Sequence, residues 1–301
     1  MRLLVTGAWQ ATPEQLARLR EMGHEVVLQP QERDALACMP AEIEGVVCNG
    51  LFLSHPIEHF AKLRYIQLTS AGFDRVPMDY VTAHGIEIHN ARGVYSIPMA
   101  EFAIAGVLQL YKQAECFREN QRQRRWEKRR DLRELSGKTV LVVGCGSVGT
   151  ECARRFRAFG CQVNGVDLYP RDDDNFQAIR NLAELDNFVA AADIVVLTLP
   201  LTTETRGLFG ARRLALLKPG AILVNIARGA VVDQKALAEQ LDHLGGAVLD
   251  VFEDEPLPAD SPLWDAPKVL VTPHNSFVGD GNAARLAEVI FVNLEAAGAP
   301  R

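Results

Sequence analysis

This sequence lacks three things, and each absence removes a class of protein. No apolar run is long enough to cross a bilayer, and the opening MRLLVTG is too short in its apolar part for a signal peptide, so it reads as a first strand. Basic charge is not in excess: 32 Lys and Arg stand against 38 Asp and Glu, giving a net charge of −6 and no electrostatic footprint for nucleic acid. The cysteines, Cys38, Cys48, Cys116, Cys145, Cys152 and Cys161, form no CxxC pair and no metal-ligand spacing, so no metal site is expected. Most sit in apolar company, as reduced core residues of a cytoplasmic protein do.

What the chain has is length and pattern. Its 301 residues, 48% hydrophobic and 23% charged, suffice for two globular domains. Up to residue 90, short apolar runs at Leu3–Val5, Glu25–Leu28, Gly45–Cys48 and Tyr65–Leu68 alternate with helical patterns such as Pro13–Met22. That alternation argues for a small parallel sheet covered by helices. From Ile97 to about Cys116 the pattern is one long helix, apolar on most faces, with Pro98 in its first turn. The basic run Arg122–Arg133 that follows reads as a solvated helix face, with Trp126 as a candidate anchor on a neighbouring surface.

A second parallel sheet is expected downstream, with strands at Ile194–Leu199, Ala221–Ile226, Ala247–Val251 and Val269–Thr272. The last helix, Asn282–Ala297, is placed to cross back to the first domain and make it discontinuous.

The stretch TVLVVGCGSVGTECARRFRAFGCQVNGVD, Thr139 to Asp167, opens that second sheet. It runs strand, glycine-rich turn, helix, strand and terminal acid, the order a dinucleotide-binding βαβ unit requires. Gly144 allows the tight turn, Gly146 lets the backbone approach a pyrophosphate, and Gly149 lets the helix sit close to the sheet. The helix N-terminus offers unpaired N–H groups to the phosphates. Asp167 is suited to accept hydrogen bonds from the adenosine ribose and to repel a 2′-phosphate, which favours NAD over NADP; the nearby Arg171 blurs that choice.

Three later strands end in polar residues unlike their surroundings: Arg228 after AILVNIA, Glu255 past AVLDV, and His274 after KVLVTP. In a parallel sheet all carboxyl ends lie on one edge, which the glycine turn shares. Hydride transfer to a 2-oxo acid needs these residue types. A guanidinium holds the carboxylate and polarises the ketone, and an imidazolium protonates the oxygen at C2. A carboxylate beside an imidazole favours its charged form. In the first domain, small residues at Ser70, Ala71 and Gly72 suit an anion-binding nest, although a plain turn is equally compatible with them.

The segments LPLTTETRGLFG, AILVNIARGAVVD, VLDVFEDEPLPADSPLW and VLVTPHN, with TSAGFD and HNARGVYSIPMAE before them, resemble consecutive signatures of the D-isomer-specific 2-hydroxyacid dehydrogenases. The resemblance implies an α/β protein with a central Rossmann dinucleotide-binding domain, residues 93–275, and a discontinuous flavodoxin-like substrate domain, residues 1–92 and 276–301. It implies a homodimer that interconverts a small 2-oxo acid and its D-2-hydroxy acid with NADH. Arg228, Glu255 and His274 fall on the family's catalytic set, with Arg228 and His274 also touching substrate and cofactor. Ala71 and Gly72 fall where backbone N–H groups take the substrate carboxylate. Ser147 and Val148 match turn positions beside the pyrophosphate. Leu199, Pro200, Thr205, Ile226, Ala227 and Asp250 match cofactor-lining positions, with Asp250 near the nicotinamide amide.

The chain departs from the pattern at Asn275-Ser276-Phe277 and at Arg92, where proline is frequent. Glu255 stands where formate dehydrogenase-like members carry glutamine, which favours hydroxyacid chemistry. The alternatives are an NADP-preferring glyoxylate or hydroxypyruvate reductase and, in another class, a dinucleotide-sensing protein like the corepressors that share this fold.

Overall fold

The computed structural model describes residues 1–298. The chain divides into two compact units, one of Met1–Tyr95 with the segment from Gly279 onward, the other of Ser96–Val278. Both crossings fall a few residues beyond the expected 92/93 and 275/276. Val94 is buried in the first unit's core, and the Ser276 N–H is tied to Asp250 in the second.

The first unit begins β1 (Arg2–Thr6), α1 (Pro13–Glu21), β2 (Glu25–Gln29), β3 (Gly45–Cys48), β4 (Tyr65–Leu68), α2 (Met78–Ala83) and β5 (Glu87–His89). Its five strands form one parallel sheet in the order β2-β1-β3-β4-β5, the doubly wound flavodoxin-like order. A capping box starts α1. The Thr12 hydroxyl accepts from the Gln15 N–H, the Gln15 side chain accepts from the Thr12 N–H, and Pro13 takes the first helical position. Strands β3 and β4 are buried on both faces, which is why GVVC and YIQL carry little alternation.

The second unit contains α3 (Ser96–Tyr111), α4 (Ala114–Arg122), β6 (Thr139–Val143), α5 (Ser147–Ala158), β7 (Gln162–Asp167) and β8 (Ile179–Asn181). It continues with α6 (Leu185–Ala191), β9 (Ile194–Leu197), α7 (Ala211–Leu214), β10 (Ile222–Asn225), α8 (Gln234–Gln240), β11 (Gly246–Leu249) and β12 (Val269–Val271). All seven strands are parallel, in the order β12-β11-β10-β9-β6-β7-β8. The order reverses between β6 and β9, so the topological switch lies beside the glycine-rich turn.

Successive strand residues go to opposite faces and build two cores. Leu141, Val143, Val195, Leu197 and Leu223 pack with α6 and α8 on one side. Val140, Val142, Ile194, Val196 and Val224 pack with α3 and α5 on the other. A Cβ added at Gly106 would lie 2.6 Å from Val248 Cγ1, so this glycine lets α3 sit close against β11. Glycine inside a helix costs about 1 kcal/mol relative to alanine, whereas burying Ile104 and Val107 stabilises by roughly 1.5–3 kcal/mol each, so the close packing wins.

The last helix, α9 (Asn282–Gly298), belongs to the first unit. Its Leu286, Ile290, Phe291 and Leu294 share a core with Leu3, Val5 and Trp9. Among the described residues no helix is long and apolar enough to cross a membrane.

Two sequence expectations are corrected. The helix over 97–116 is two helices, because Gln113 adopts a left-handed φ of 49° between α3 and α4. The basic run is not a helix face beyond Arg122. The Arg125 N–H returns to the Asn120 carbonyl at 2.8 Å while Arg124 takes a φ of 55°, a Schellman-type stop built without glycine. Trp126 beyond it is 95% exposed. Strands β5 and β8, three residues each, are additions at the sheet edges.

Candidate active site

The glycine-rich turn follows β6, and each of its glycines is constrained differently. Gly144 has a φ of 95°, and a Cβ there would lie 2.6 Å from the Leu199 nitrogen. Leu199 follows β9, so the switch point closes backbone against backbone. A Cβ on Gly149 would strike the Gly144 carbonyl oxygen at 2.1 Å, which brings α5 down onto its own turn. Gly146 is the opposite case: it caps α5, and an added Cβ would meet nothing within 4 Å. Helix α5 has no side-chain cap, so the amides of Ser147, Val148 and Gly149 face the same opening with the positive end of the helix dipole. Free space above a glycine backbone and an uncapped helix start fit a pyrophosphate.

Asp167 ends β7 half-buried. Its Oδ2 accepts from the Cys145 N–H at 2.6 Å and its Oδ1 from the Tyr169 N–H at 3.0 Å, which ties this acid to the turn. Burial, then the charge of Asp167, push the Cys145 thiol up to about 12, so it stays protonated inside the turn. Pro200 is exposed, whereas Leu199, Thr205, Ile226 and Ala227 are buried. The Thr205 hydroxyl serves its own loop, donating to the Pro200 carbonyl at 2.8 Å and accepting from the Thr202 N–H at 2.7 Å.

Arg228, Glu255 and His274 come from the loops after β10, β11 and β12, at the carboxyl edge of the sheet. Glu255 Oε2 accepts from His274 Nδ1 at 2.8 Å, and its Oε1 accepts from the Phe252 N–H at 3.0 Å. This fixes the ring through Nδ1 and leaves Nε2 as the nitrogen open to a substrate. The His274 side chain is 41% exposed, and the Phe277 ring meets it edge-on at 6.1 Å between centroids.

Arg228 lies on a loop that touches the Glu255 loop directly: a Cβ added to Gly229 would sit 1.8 Å from the Phe252 carbonyl carbon and 2.4 Å from the Glu253 nitrogen. The Arg228 guanidinium is exposed, donates to the Ala227 carbonyl at 2.7 Å, and forms no ion pair among the described residues. Its charge is available to an anion.

Asp250, the position expected near the cofactor, has a fully buried carboxylate that accepts hydrogen bonds on both oxygens. Oδ1 accepts from the Thr272 hydroxyl at 2.7 Å and the Asn275 N–H at 2.8 Å, and Oδ2 accepts from the Ser276 N–H at 2.9 Å. The Asp250 carbonyl also accepts from the His274 N–H at 2.8 Å. Asp250 therefore shapes the loop that carries His274, which sits at a left-handed φ of 51°. The irregular segment Asn275-Ser276-Phe277 was the signal for it: the Asn275 and Ser276 amides are taken by the buried Asp250 carboxylate.

In the first unit, the exposed Ala71 and half-buried Gly72 lie in the loop after β4. Asn90 Nδ2 donates to the Ala71 carbonyl at 2.6 Å, and the Ala71 and Gly72 N–H groups have no protein acceptor among the described residues. The amides of Asn49 and Gly50, after β3, are instead taken by the Glu32 carboxylate at 2.7 and 2.6 Å. Those two amides are therefore closed to an anion by the chain's own acid.

The seven-stranded parallel sheet and the turn at its switch point define a dinucleotide-binding protein of the Rossmann class. The family model for the NAD binding domain of D-isomer specific 2-hydroxyacid dehydrogenases matches residues 104–276. The chain belongs to that family and is an oxidoreductase of the NAD-dependent kind.

It is 34% identical over 245 residues to an (S)-sulfolactate dehydrogenase of Chromohalobacter salexigens, covering 80% of this chain and 79% of that protein. A family protein from Aeromonas salmonicida is similar in structure with a TM-score of 0.84 and 33% identity, over 99% of this chain and 97% of that one. A family member from Xanthobacter autotrophicus Py2, solved with NADPH and MES, is similar with a TM-score of 0.79 and 31% identity, over 99% and 96%. The D-3-phosphoglycerate dehydrogenases of Bacillus subtilis and Methanocaldococcus jannaschii are longer, and the chain spans 41% and 42% of their length.

Proposed function

We propose that this protein reduces a small 2-oxo acid to its D-2-hydroxy acid with NADH, or runs the reverse, using Arg228, Glu255 and His274. The observation that carries the reading is the Glu255–His274 pair at 2.8 Å, with the Glu255 loop in backbone contact with the one bearing Arg228, whose guanidinium forms no ion pair among the described residues. The bound nicotinamide supplies the hydride to C2. Arg228 pairs with the substrate carboxylate and polarises the ketone, and His274 Nε2 gives a proton to the oxygen at C2. Glu255 holds Nδ1 and stabilises the imidazolium before transfer. In the reverse direction, His274 takes the proton back.

On this reading, the Ser147, Val148 and Gly149 amides hold the pyrophosphate and Asp167 the adenosine ribose. The first unit is the substrate domain, with the Ala71 and Gly72 amides offered to the carboxylate. Cytoplasmic placement is supported by six cysteines that are all free. The homodimer is inferred from the family resemblance, with the 95% exposed Trp126 as a candidate contact.

The test is NADH oxidation with glyoxylate, hydroxypyruvate, pyruvate, 3-sulfopyruvate and branched 2-oxo acids. Turnover of at least one is expected, and silence with all of them overturns the proposal. Arg228→Lys retains the charge but loses the planar fork. Since charge-assisted hydrogen bonds contribute about 1.5–3 kcal/mol each, losing one lowers kcat/KM by roughly 10–100-fold. A change below threefold in steady-state kinetics would remove Arg228 from the substrate.

A further inference from the structure

Arg171 and Asp173 lie just past the ribose-side acid, and neither is used by the chemistry above. The Arg171 Nη2 donates to the Cys145 carbonyl at 2.5 Å and to the Thr150 hydroxyl at 3.2 Å, and lies 3.3 Å from Asp173 Oδ2. Cys145 thus has Asp167 on its N–H and Arg171 on its carbonyl, so the acid and the base flank one residue of the turn. A free arginine here is what a cofactor with a 2′-phosphate recruits. This arginine is not free. The Asp173 side chain is only 13% exposed and is itself fixed: Oδ1 accepts from the Asn175 N–H at 3.0 Å and the Asn175 amide at 2.9 Å, and Oδ2 accepts from the Thr150 hydroxyl at 3.3 Å. Burial pushes the Asp173 carboxyl up, but the Asn175 bonds, the Arg171 charge and the Thr150 hydroxyl outweigh it and hold the pKa below the ordinary carboxylate value.

We propose that Asp173 sets the preference for NAD by holding Arg171 down on the glycine-rich turn, where it cannot pair with a 2′-phosphate. Of the three acceptors on Arg171, the Cys145 carbonyl and the Thr150 hydroxyl are neutral; Asp173 alone opposes its charge, and charge-assisted contacts are the stronger kind. Asp173 is a positioning residue acting through Arg171. The inference rests on the dinucleotide reading of the turn.

The experiment needs no turnover. Full-length wild type, Asp173→Asn, Arg171→Ala and the double variant are titrated calorimetrically with 5′-ADP and with adenosine 2′,5′-bisphosphate. Asp173→Asn keeps an acceptor for the Asn175 N–H while turning an NH₂ toward Arg171, so it releases the arginine with the local turn intact. Asp173→Ser is the second variant if the first melts early. The expected result is a gain of about tenfold in bisphosphate affinity relative to 5′-ADP, equivalent to about 1.4 kcal/mol. Adding Arg171→Ala cancels the gain, and Arg171→Ala alone leaves the wild-type ratio within about twofold.

A ratio unmoved by Asp173→Asn and Asp173→Ser, or a gain that survives loss of Arg171, overturns the proposal while 5′-ADP binding leaves the dinucleotide reading standing. Wild type that binds neither nucleotide overturns both.

Discussion

His274→Asn is expected to lower kcat for 2-oxo acid reduction by about 10²–10⁴-fold, the range for loss of a general acid, while NADH binding and the melting temperature stay close to wild type. Asparagine is the informative replacement because His274 sits at a φ of 51°. Left-handed backbone costs an ordinary residue on the order of 1–2 kcal/mol, and asparagine tolerates it better than most. Alanine would combine that strain with loss of the imidazole and confuse the two effects. Asparagine removes the Nε2 proton donor and keeps the backbone. Single-turnover kinetics with NADH and the best substrate of the panel measures the chemical step, and a rate within tenfold of wild type at neutral pH would take the proton-donor role from His274.

The second large effect is on stability. Asp250→Ala removes an acceptor from the Thr272 hydroxyl and the Asn275 and Ser276 amides at a site with no solvent exposure. Stranding a buried donor costs about 1–3 kcal/mol; the Ser276 N–H is buried and the bonds from Thr272 and Asn275 are part-buried, so a loss of about 2–4 kcal/mol is expected in denaturant titrations. Asp250→Asn should lose less, about 1–3 kcal/mol, because it retains one carbonyl oxygen and turns an amide toward a donor. The same loop carries His274, so activity should fall at temperatures where Asp250→Asn is still folded. A shift below 1 kcal/mol for the alanine variant would mean that the loop holds its shape without the carboxylate.

The parts of the fold that were legible in the sequence are those whose physics is local. Parallel strands buried on both faces show as apolar runs, and β3, β4 and β9 stand where GVVC, YIQL and IVVL announce them. The glycine turn was readable because φ and steric constraints select the residue itself, as at Gly144 and Gly149. Edge strands β5 and β8 are too short to show a period. The break at Gln113 and the stop at Arg124 use left-handed backbone on residues with no particular preference for it, so neither glycine nor proline marks them.

The candidate site divides the same way. Arg228, Glu255 and His274 could be picked out by residue type at strand ends. The burial of Asp250, the filling of the Asn49–Gly50 amides by Glu32, and the hold of Asp173 on Arg171 depend on partners that sequence spacing does not reveal.

The contact at Gly229 bears on how this scaffold can change. Main-chain atoms of the Arg228 loop rest directly on those of Phe252 and Glu253, with no side chain between them to trim or enlarge. The spacing from the Arg228 loop to the Glu255 loop is therefore insulated from drift in surrounding residues. New substrate preferences can be explored elsewhere in the chain without retuning that distance, so a directed-evolution library that leaves 228–229, 252–255 and the His274 loop, 272–276, untouched should retain activity in far more of its members than one that does not.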